Sequence, residues 1–229
     1  MKIQICGFLI AVCVVTGIVS YTLAPVQTDA VPILPASMSE VVRLDDRPPH
    51  VRNLLLRLEE AEKVGDVEMA VRAIEELRSL PGSPVDDLED KLVRRLGELN
   101  LVLLFEMKCP RCVSLVTVKR GDTALSIASK FGATVASLNC LNDNALDNMK
   151  AERSIYVLDQ PRFRLVVHRR TQTADLYLNG KLFKRYDLKS VSGLKVGSCG
   201  WGEISLSTTD RKELEMLLTR NMSVLVSEM

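Results

Sequence analysis

The chain has 229 residues, which is room for one or two small domains with tails. Its formal net charge is +1 and charges of both signs are interspersed, which argues against a nucleic-acid-binding protein. Hydrophobic residues make up 47% of the chain, a share raised by one apolar block at the N-terminus, whereas aromatic residues make up only 4%. The composition therefore predicts small folded domains behind an apolar N-terminal segment.

Residues 1–24 form that apolar segment. Lys2 precedes an almost unbroken apolar run that begins at Ile5. The run and its continuation comprise about 20 residues, enough to cross a bilayer as a helix. No clear small-residue cleavage site follows, so we expect an uncleaved membrane anchor, with a cleaved signal peptide as the alternative. Both alternatives export the rest of the chain, and the Pro-rich residues 25–49 predict an extended linker beyond the membrane.

Residues 50–105 predict a helical region. Apolar residues at helical spacing give three helices, over 50–64, 66–77 and 83–103. Gly65 is expected to end the first helix, Asp66 to cap the second and Ser83-Pro84 to begin the third. The three resemble one tetratricopeptide-like hairpin with an extra helix, but no repeat of about 34 residues recurs. We expect a spacer or oligomerisation element; a surface for a cell-wall protein partner is the alternative.

Four cysteines lie outside the N-terminal segment, at positions 109, 112, 140 and 199. Cys109 and Cys112 form a CPRC motif. One CxxC pair supplies only half of a structural zinc site, which Cys140 and Cys199 would have to complete through folding. A disulfide is the usual outcome for an exported protein, and plain linker cysteines are the remaining alternative. We predict no metal and no cofactor.

Residues 114–159 carry a compact pattern of strand, turn, two helices and strand. A short strand ends at Val118 and leads to a turn at Gly121. The helix that follows is capped by Asp122 or Thr123. Four apolar residues of this helix are expected to face a small core: Leu125, Ile127, Ala128 and Phe131. The remaining landmarks are Gly132 as helix end, Thr134 as the next cap and 154–158 as the closing strand.

The same stretch resembles the LysM domain. The matching positions are Val118, Gly121, Asp122, Thr123, Ile127, Ala128, Phe131, Gly132, Thr134, Leu138 and Asn142. Ala124 departs from the pattern, and Glu152 stands where a glycine is usual before the last strand. The resemblance implies that two facing loops bind N-acetylglucosamine-containing glycans, usually peptidoglycan, through backbone groups. The glycan-binding residues that it implies are Gly121, Asp122, Thr123, Ala124, Leu141, Asn142 and Asp143.

Residues 162–229 predict a sheet, a helix and a last strand. The expected strands cover 162–168, 173–178, 182–188 and 224–226. Asn179-Gly180, between the second and third of these, is the strongest short signal for a β-hairpin. Asp210, Glu213 and Leu214 lie in the predicted helix. This order resembles the L,D-transpeptidase catalytic domain, which commonly follows a LysM module in one chain.

The active-site signature of that family is degenerate in this sequence. Its S-x-G-C-x-R pattern lies over Gly200–Ser205, where Glu203 replaces the nucleophilic cysteine and Ser205 the arginine. The segment that carries the family's catalytic histidine is missing. Cys199 and His168 are the remaining candidates, because a cysteine nucleophile needs a base or cation beside it. We expect no intact catalytic site, and Glu203 as a solvated turn residue.

These patterns together predict an α+β protein that is exported and bound to the cell wall. Its expected segments are 1–24 as anchor or signal peptide, 25–49 as linker, 50–105 as helical spacer, 114–159 as LysM domain and 162–229 as a truncated L,D-transpeptidase-like segment. The expected function is peptidoglycan binding by a pseudoenzyme in the bacterial cell envelope, held at the inner membrane or released to the periplasm. A divergent L,D-transpeptidase that cross-links peptidoglycan and a cell-wall interaction scaffold are the alternatives.

Overall fold

The computed structural model describes residues 47–81, 87–143, 146, 150–192, 203–217 and 223–227. The predicted membrane segment, most of the linker and Cys199 lie outside these residues. The described part of the chain is a mixed α+β protein, as predicted. Within it no single helix is long and apolar enough to cross a membrane; one pair of short helices, bent by 101° at their junction, passes the same test only when the two are taken together.

The helical region begins with two helices whose ends lie within two residues of the predicted bounds. They are α1, Pro49–Val64, and α2, Val67–Ser79. Gly65 ends α1 with a left-handed backbone (φ 73°), as expected for a C-terminal glycine. Asp66 caps α2, because its carboxylate accepts a hydrogen bond from the backbone N–H of Met69 at 2.9 Å. The local signals at Gly65 and Asp66 therefore set the turn between the two helices.

The third helix differs from the prediction at both ends. Helix α3 spans Glu89–Leu101, and a π-helical turn over Val102–Glu106 continues it. Of the predicted start, Ser83 and Pro84 lie outside the described residues, while Asp87 forms an ion pair with Arg47 instead of entering the helix. No side chain caps α3. The apolar repeat ran unbroken past Leu101, which is why the change of helix type was not predicted.

The module over residues 113–158 has the predicted order of elements. These are β1, Val113–Thr117; α4, Ala124–Phe131; α5, Val135–Leu141; and β2, Ser154–Leu158. Strands β1 and β2 pair antiparallel, from Val113 opposite Leu158 to Thr117 opposite Ser154. Between the strands and the two helices lies a small apolar core, formed by Val118, Ile127, Leu138, Leu146, Ile155 and Val157.

A four-stranded sheet forms the second half of the fold. Its strands are β3, Phe163–His168; β4, Thr173–Leu178; β5, Lys181–Asp187; and β8, Ser223–Ser227. The order is β5-β4-β3-β8, and β8 lies parallel to β3. Asn179 and Gly180 both have positive φ (52° and 85°), which confirms the predicted hairpin turn. The described elements between β5 and β8 are β6, Ser190–Ser192; β7, Glu203–Ser205; and α6, Thr208–Leu217.

The core of this sheet crosses the predicted boundary between the module and the C-terminal segment. Leu141 and Leu158 of the module lie in the same buried cluster as Leu165 and Leu176 of the sheet and Leu217 of α6. The side chain of Leu141 is 0% exposed. The hydroxyl of Thr134 at the start of α5 also donates a hydrogen bond to the carbonyl of Met216 in α6. The module is therefore packed on the sheet and shares its core.

The helical region docks on the outer strand β5 through α3. Asn100 donates a hydrogen bond to the carbonyl oxygen of Phe183 at 2.8 Å. Gly97 faces Lys184 so closely that a Cβ at Gly97 would lie 2.7 Å from the Lys184 side chain, so this contact requires glycine. Arg94 binds both carboxylate oxygens of Asp187 at 2.6 and 2.9 Å. A hydrogen bond to the backbone, a close packing contact and an ion pair thus join the helical region to the sheet.

A buried carboxylate joins α6 to the same strand. Glu213 is 5% exposed, and its two oxygens accept hydrogen bonds from Lys184 Nζ at 2.8 Å and from the hydroxyl of Tyr186 at 2.7 Å. Burial, together with the charge of Glu213, raises the pKa of Tyr186 well above its usual value, so the phenol keeps its proton and acts as the donor. Each oxygen of the buried acid is therefore satisfied.

We predict that an isolated fragment of residues 113–160 is several kcal/mol less stable than the same residues in the full chain. Excision exposes Leu141 and Leu158, and burial of a leucine contributes about 1.5–3 kcal/mol. Hydrogen exchange at the amides of β1 and β2, compared between fragment and full chain, measures the difference.

Leu141→Ala provides the control. It should cost about 2–5 kcal/mol in the full chain, where the residue is buried against the sheet, and much less in the fragment. Equal protection of β1 and β2 in fragment and full chain would show that the shared core contributes nothing to the module.

Candidate functional site

The loop between β1 and α4 is the first half of the predicted glycan site. Gly121 has φ 89°, the left-handed turn expected there. A carboxylate oxygen of Asp122 accepts from the backbone N–H of Lys119 at 2.8 Å and closes the turn. Thr123, and not Asp122, caps α4. Its hydroxyl oxygen accepts a hydrogen bond from the backbone N–H of Ser126 at 3.1 Å, and the hydroxyl oxygen of Ser126 accepts one from the backbone N–H of Thr123 at 2.9 Å. These side chains define the shape of the loop.

The loop after α5 is the second half, and Asn142 holds it against β2. Its amide nitrogen donates to the carbonyls of Leu138 at 2.8 Å and Tyr156 at 2.7 Å, and its oxygen accepts from the N–H of Tyr156 at 2.8 Å. Asp143 follows with a left-handed backbone (φ 55°) and is exposed. Leu141 is fully buried, so its side chain offers no contact to a ligand.

Most polar side chains predicted for this site are therefore occupied within the protein. Asp122, Thr123 and Asn142 make turn, cap and strand contacts, while Ala124 is apolar. The loops offer a ligand their backbone groups and small exposed surfaces. Of the two carboxylates in these loops, Asp122 closes a turn and Asp143 is exposed.

Leu125 corrects a prediction and adds a residue to the site. It was expected in the small core, but its side chain is 71% exposed at the second position of α4, directly after the loop 121–124. Helix α4 is only two turns long; Ile127 and Ala128 are buried in the core, and Ala124 and Phe131 pack against it while partly buried. A helix this short has too few apolar residues for its buried face to be identified from spacing alone. The exposed Leu125 therefore places an apolar side chain at the surface beside the loop.

Glu152 occupies the position where the LysM pattern usually has glycine. Its φ is 71°, in the region that glycine adopts without cost and other residues rarely visit. Its N–H donates to the carbonyl of Val118 at 2.8 Å, beside the end of β1. The backbone at residue 152 thus keeps the turn for which glycine is the usual choice, with glutamate in its place.

His168 and Cys199 were the candidate catalytic pair, and Cys199 lies outside the described residues. The Nε2 atom of His168 lies 3.2 Å from Oδ2 of Asp175. Asp175 is 3% exposed and is also bound by Arg185 through both of its carboxylate oxygens, at 2.7 and 2.9 Å. Hydrogen bonding to Asp175 raises the pKa of Arg185, which keeps the guanidinium charged. Among the described residues His168 is thus a partner of a buried ion pair.

Glu203 was expected as a solvated turn residue, and this expectation is wrong for its backbone. It begins β7 and pairs with Ser192 of β6 in a small antiparallel sheet. The pairing with β6 was not predicted, because strand pairs this short carry little signal in the sequence. Residues 200–202, the start of the degenerate signature, lie outside the described residues.

The cysteines do not form a metal site in the described part of the chain, where no group of three or more potential metal ligands occurs. Cys109, Cys112 and Cys140 are partly buried there. Cys109 and Cys112 share a tight turn before β1, since the N–H of Cys112 donates to the carbonyl of Cys109 at 3.0 Å.

The chain matches no protein-family model and no curated protein. The resemblances to LysM and L,D-transpeptidase therefore rest on the short motifs in this sequence. An assignment of function therefore depends on the contacts of the loop residues.

We predict that Thr123→Val destabilises the module by about 1 kcal/mol, because valine keeps the shape of threonine but cannot accept the hydrogen bond from Ser126. Thr123→Ser retains the hydroxyl and should stay within a few tenths of a kcal/mol of the wild type. Urea unfolding of both variants measures the difference. Equal stabilities for the two would show that the cap contributes nothing.

Proposed function

We propose that this protein binds N-acetylglucosamine-containing glycan, peptidoglycan in the first place, through the loops 121–124 and 141–143. The observation that supports this proposal most is the coincidence of backbone turns and caps with the LysM pattern. Gly121, Gly132 and Glu152 have left-handed backbones, and Thr123 and Thr134 cap the two helices. A small apolar core and two loops, 121–124 and 141–143, accompany these turns and caps, as in the LysM pattern.

Recognition in this proposal is by neutral groups. Backbone N–H and C=O groups of the loops bond the acetamido and hydroxyl groups of the sugar, and the exposed side chain of Leu125 packs against its C–H face. Neutral hydrogen bonds and apolar contacts are screened little by salt. The binding should therefore differ in its salt dependence from a contact between charged surfaces.

The rest of the chain, in this proposal, holds the glycan-binding module at the cell envelope. Residues 1–24 anchor the chain in the inner membrane, or are removed and release it to the periplasm. The segment over 162–227 serves as a folded base for the module, because the two share one core. It acts as a pseudoenzyme, since glutamate stands at position 203 where the family's nucleophile is cysteine.

A scaffold role for the helical region has less support. It would call for a contiguous apolar patch on the helices. On α1, α2 and α3 the large exposed hydrophobics are Leu56 and Val64, two turns apart on α1, while the apolar stripes of the three helices face one another. Glycan binding is therefore the function that we propose.

We predict that the full chain, solubilised in detergent, sediments with purified peptidoglycan, and that Leu125→Ser weakens its affinity about tenfold. This corresponds to the loss of about 1.4 kcal/mol of apolar contact. Leu125 is exposed, so its replacement leaves the core intact. The affinity should change less than about twofold between about 0.05 and 0.5 M salt.

Leu115→Ser is the matched control, because Leu115 is 60% exposed on β1 of the same module but lies outside both loops. It should bind like the wild type. Equal weakening by both substitutions, or loss of binding at moderate salt, would contradict the proposed loop surface.

We further predict that the full chain neither cross-links nor trims tetrapeptide stems, and that Glu203→Cys does not restore activity. A thiol without a base has a pKa of about 8.5 and forms little thiolate at neutral pH. In the described structure the Nε2 atom of His168 is engaged with Asp175. Mass spectrometry after incubation with stem peptides or a carbapenem detects any acyl-enzyme.

An acyl adduct on Cys199 that disappears in His168→Ala would contradict this prediction. It would establish the divergent L,D-transpeptidase instead. Because glycan sedimentation is measured separately, the two results do not depend on each other.

A further inference from the structure

The CPRC segment lies where the helical region meets the module, and its backbone is bound on both sides. The N–H of Cys109 donates to the carbonyl of Leu103 in the π-helical turn at 3.0 Å. The carbonyl of Cys112 accepts from the N–H of Asp159, just after β2, at 2.9 Å. A covalent bond across this turn would therefore constrain the junction between the helical region and the module.

The turn has the geometry of a single helical turn. Both the N–H of Cys112 and that of Val113 donate to the carbonyl of Cys109 at 3.0 Å. The first of these bonds closes a four-residue turn, in which the end Cα atoms lie within about 7 Å. A disulfide requires Cα atoms about 4.4–6.8 Å apart. Side chains three residues apart on a helical turn also lie on one face, which brings the two thiols together.

We propose that Cys109 and Cys112 are a modification site, at which an external disulfide converts the two thiols into an intramolecular disulfide. The bond would close the junction turn between the π-helical turn and β1. The hydrogen bonds of the turn already hold the backbones of both residues close together. The proposal is independent of glycan binding.

The reaction is a two-step thiol–disulfide exchange. The thiolate of Cys109 attacks one sulfur of the external disulfide, which gives a mixed disulfide and releases one thiolate. The thiolate of Cys112 then attacks the sulfur of Cys109 and releases the second. The protein loses two electrons and two protons, and the external disulfide gains them as two thiols.

The order of the two steps follows from the surroundings of Cys112. This residue packs against the core of the sheet, and burial, with a smaller effect of neighbouring Cys109, raises the pKa of its thiol. A thiol with a raised pKa is the weaker first nucleophile at neutral pH. Cys109 therefore attacks the external disulfide, and Cys112 resolves the intermediate.

The sequence offers a direct assay, because trypsin cuts between the two cysteines. Cleavage after Lys108, Arg111 and Lys119 places Cys109 and Cys112 on separate peptides, 109–111 and 112–119. The full chain in detergent is equilibrated with mixtures of glutathione and glutathione disulfide, quenched with acid, alkylated in denaturant and digested. Mass spectrometry before and after reduction then identifies every cysteine that was linked.

Under oxidising mixtures we expect peptides 109–111 and 112–119 to be recovered as one linked species that separates on reduction. Cys140→Ser should leave the yield unchanged, and Cys109→Ser should abolish it. Recovery of Cys109 and Cys112 as separate alkylated or glutathione-bearing peptides under fully oxidising conditions would overturn the proposal. So would a link from either of them to Cys140.

Discussion

The arrangement of the described regions depends on one buried carboxylate. Burying an ion costs several kcal/mol unless its oxygens are satisfied. Glu213 meets this condition only when α6 lies where Lys184 and Tyr186 of β5 reach it. The stem of Lys184 in turn fills the space left open by Gly97 of α3, and α6 accepts the hydrogen bond of Thr134 from the module. Helical region, module and sheet are thus positioned around the same polar contact.

This arrangement determines how the module over residues 113–158 is presented. A module on a flexible linker would present its ligand in many orientations. Here Leu141 and Leu158, at the ends of α5 and β2, lie in the core of the neighbouring sheet. The loop that contains Asn142 begins where this buried contact ends. Under the proposed function, a sugar bound there would be held in a fixed orientation relative to the sheet, and the C-terminal segment would contribute by fixing that orientation.

Local chemistry in the sequence predicted the local structure well. Asp66, Thr123 and Thr134 cap helices because their side chains bond N–H groups three residues on, and Asn179-Gly180 turns because both residues accept positive φ. Non-local contacts were not predictable in this way. The parallel pairing of β3 with β8, the pairing of β6 with β7 and the core shared by module and sheet all join residues far apart in the chain. Nothing in the short motifs specifies those partners.

The parallel placement of β8 beside β3 also has a consequence for the time course of folding. Leu165 is paired with Val224, so the sheet gains this strand only after the whole intervening chain has been delivered. Loop closure over such a distance is slow compared with the formation of a helical hairpin. The hairpin of α1 and α2 can therefore form early during synthesis of the chain. The sheet is complete only when its last strand, β8, is available. The core that the sheet shares with the module is therefore completed last.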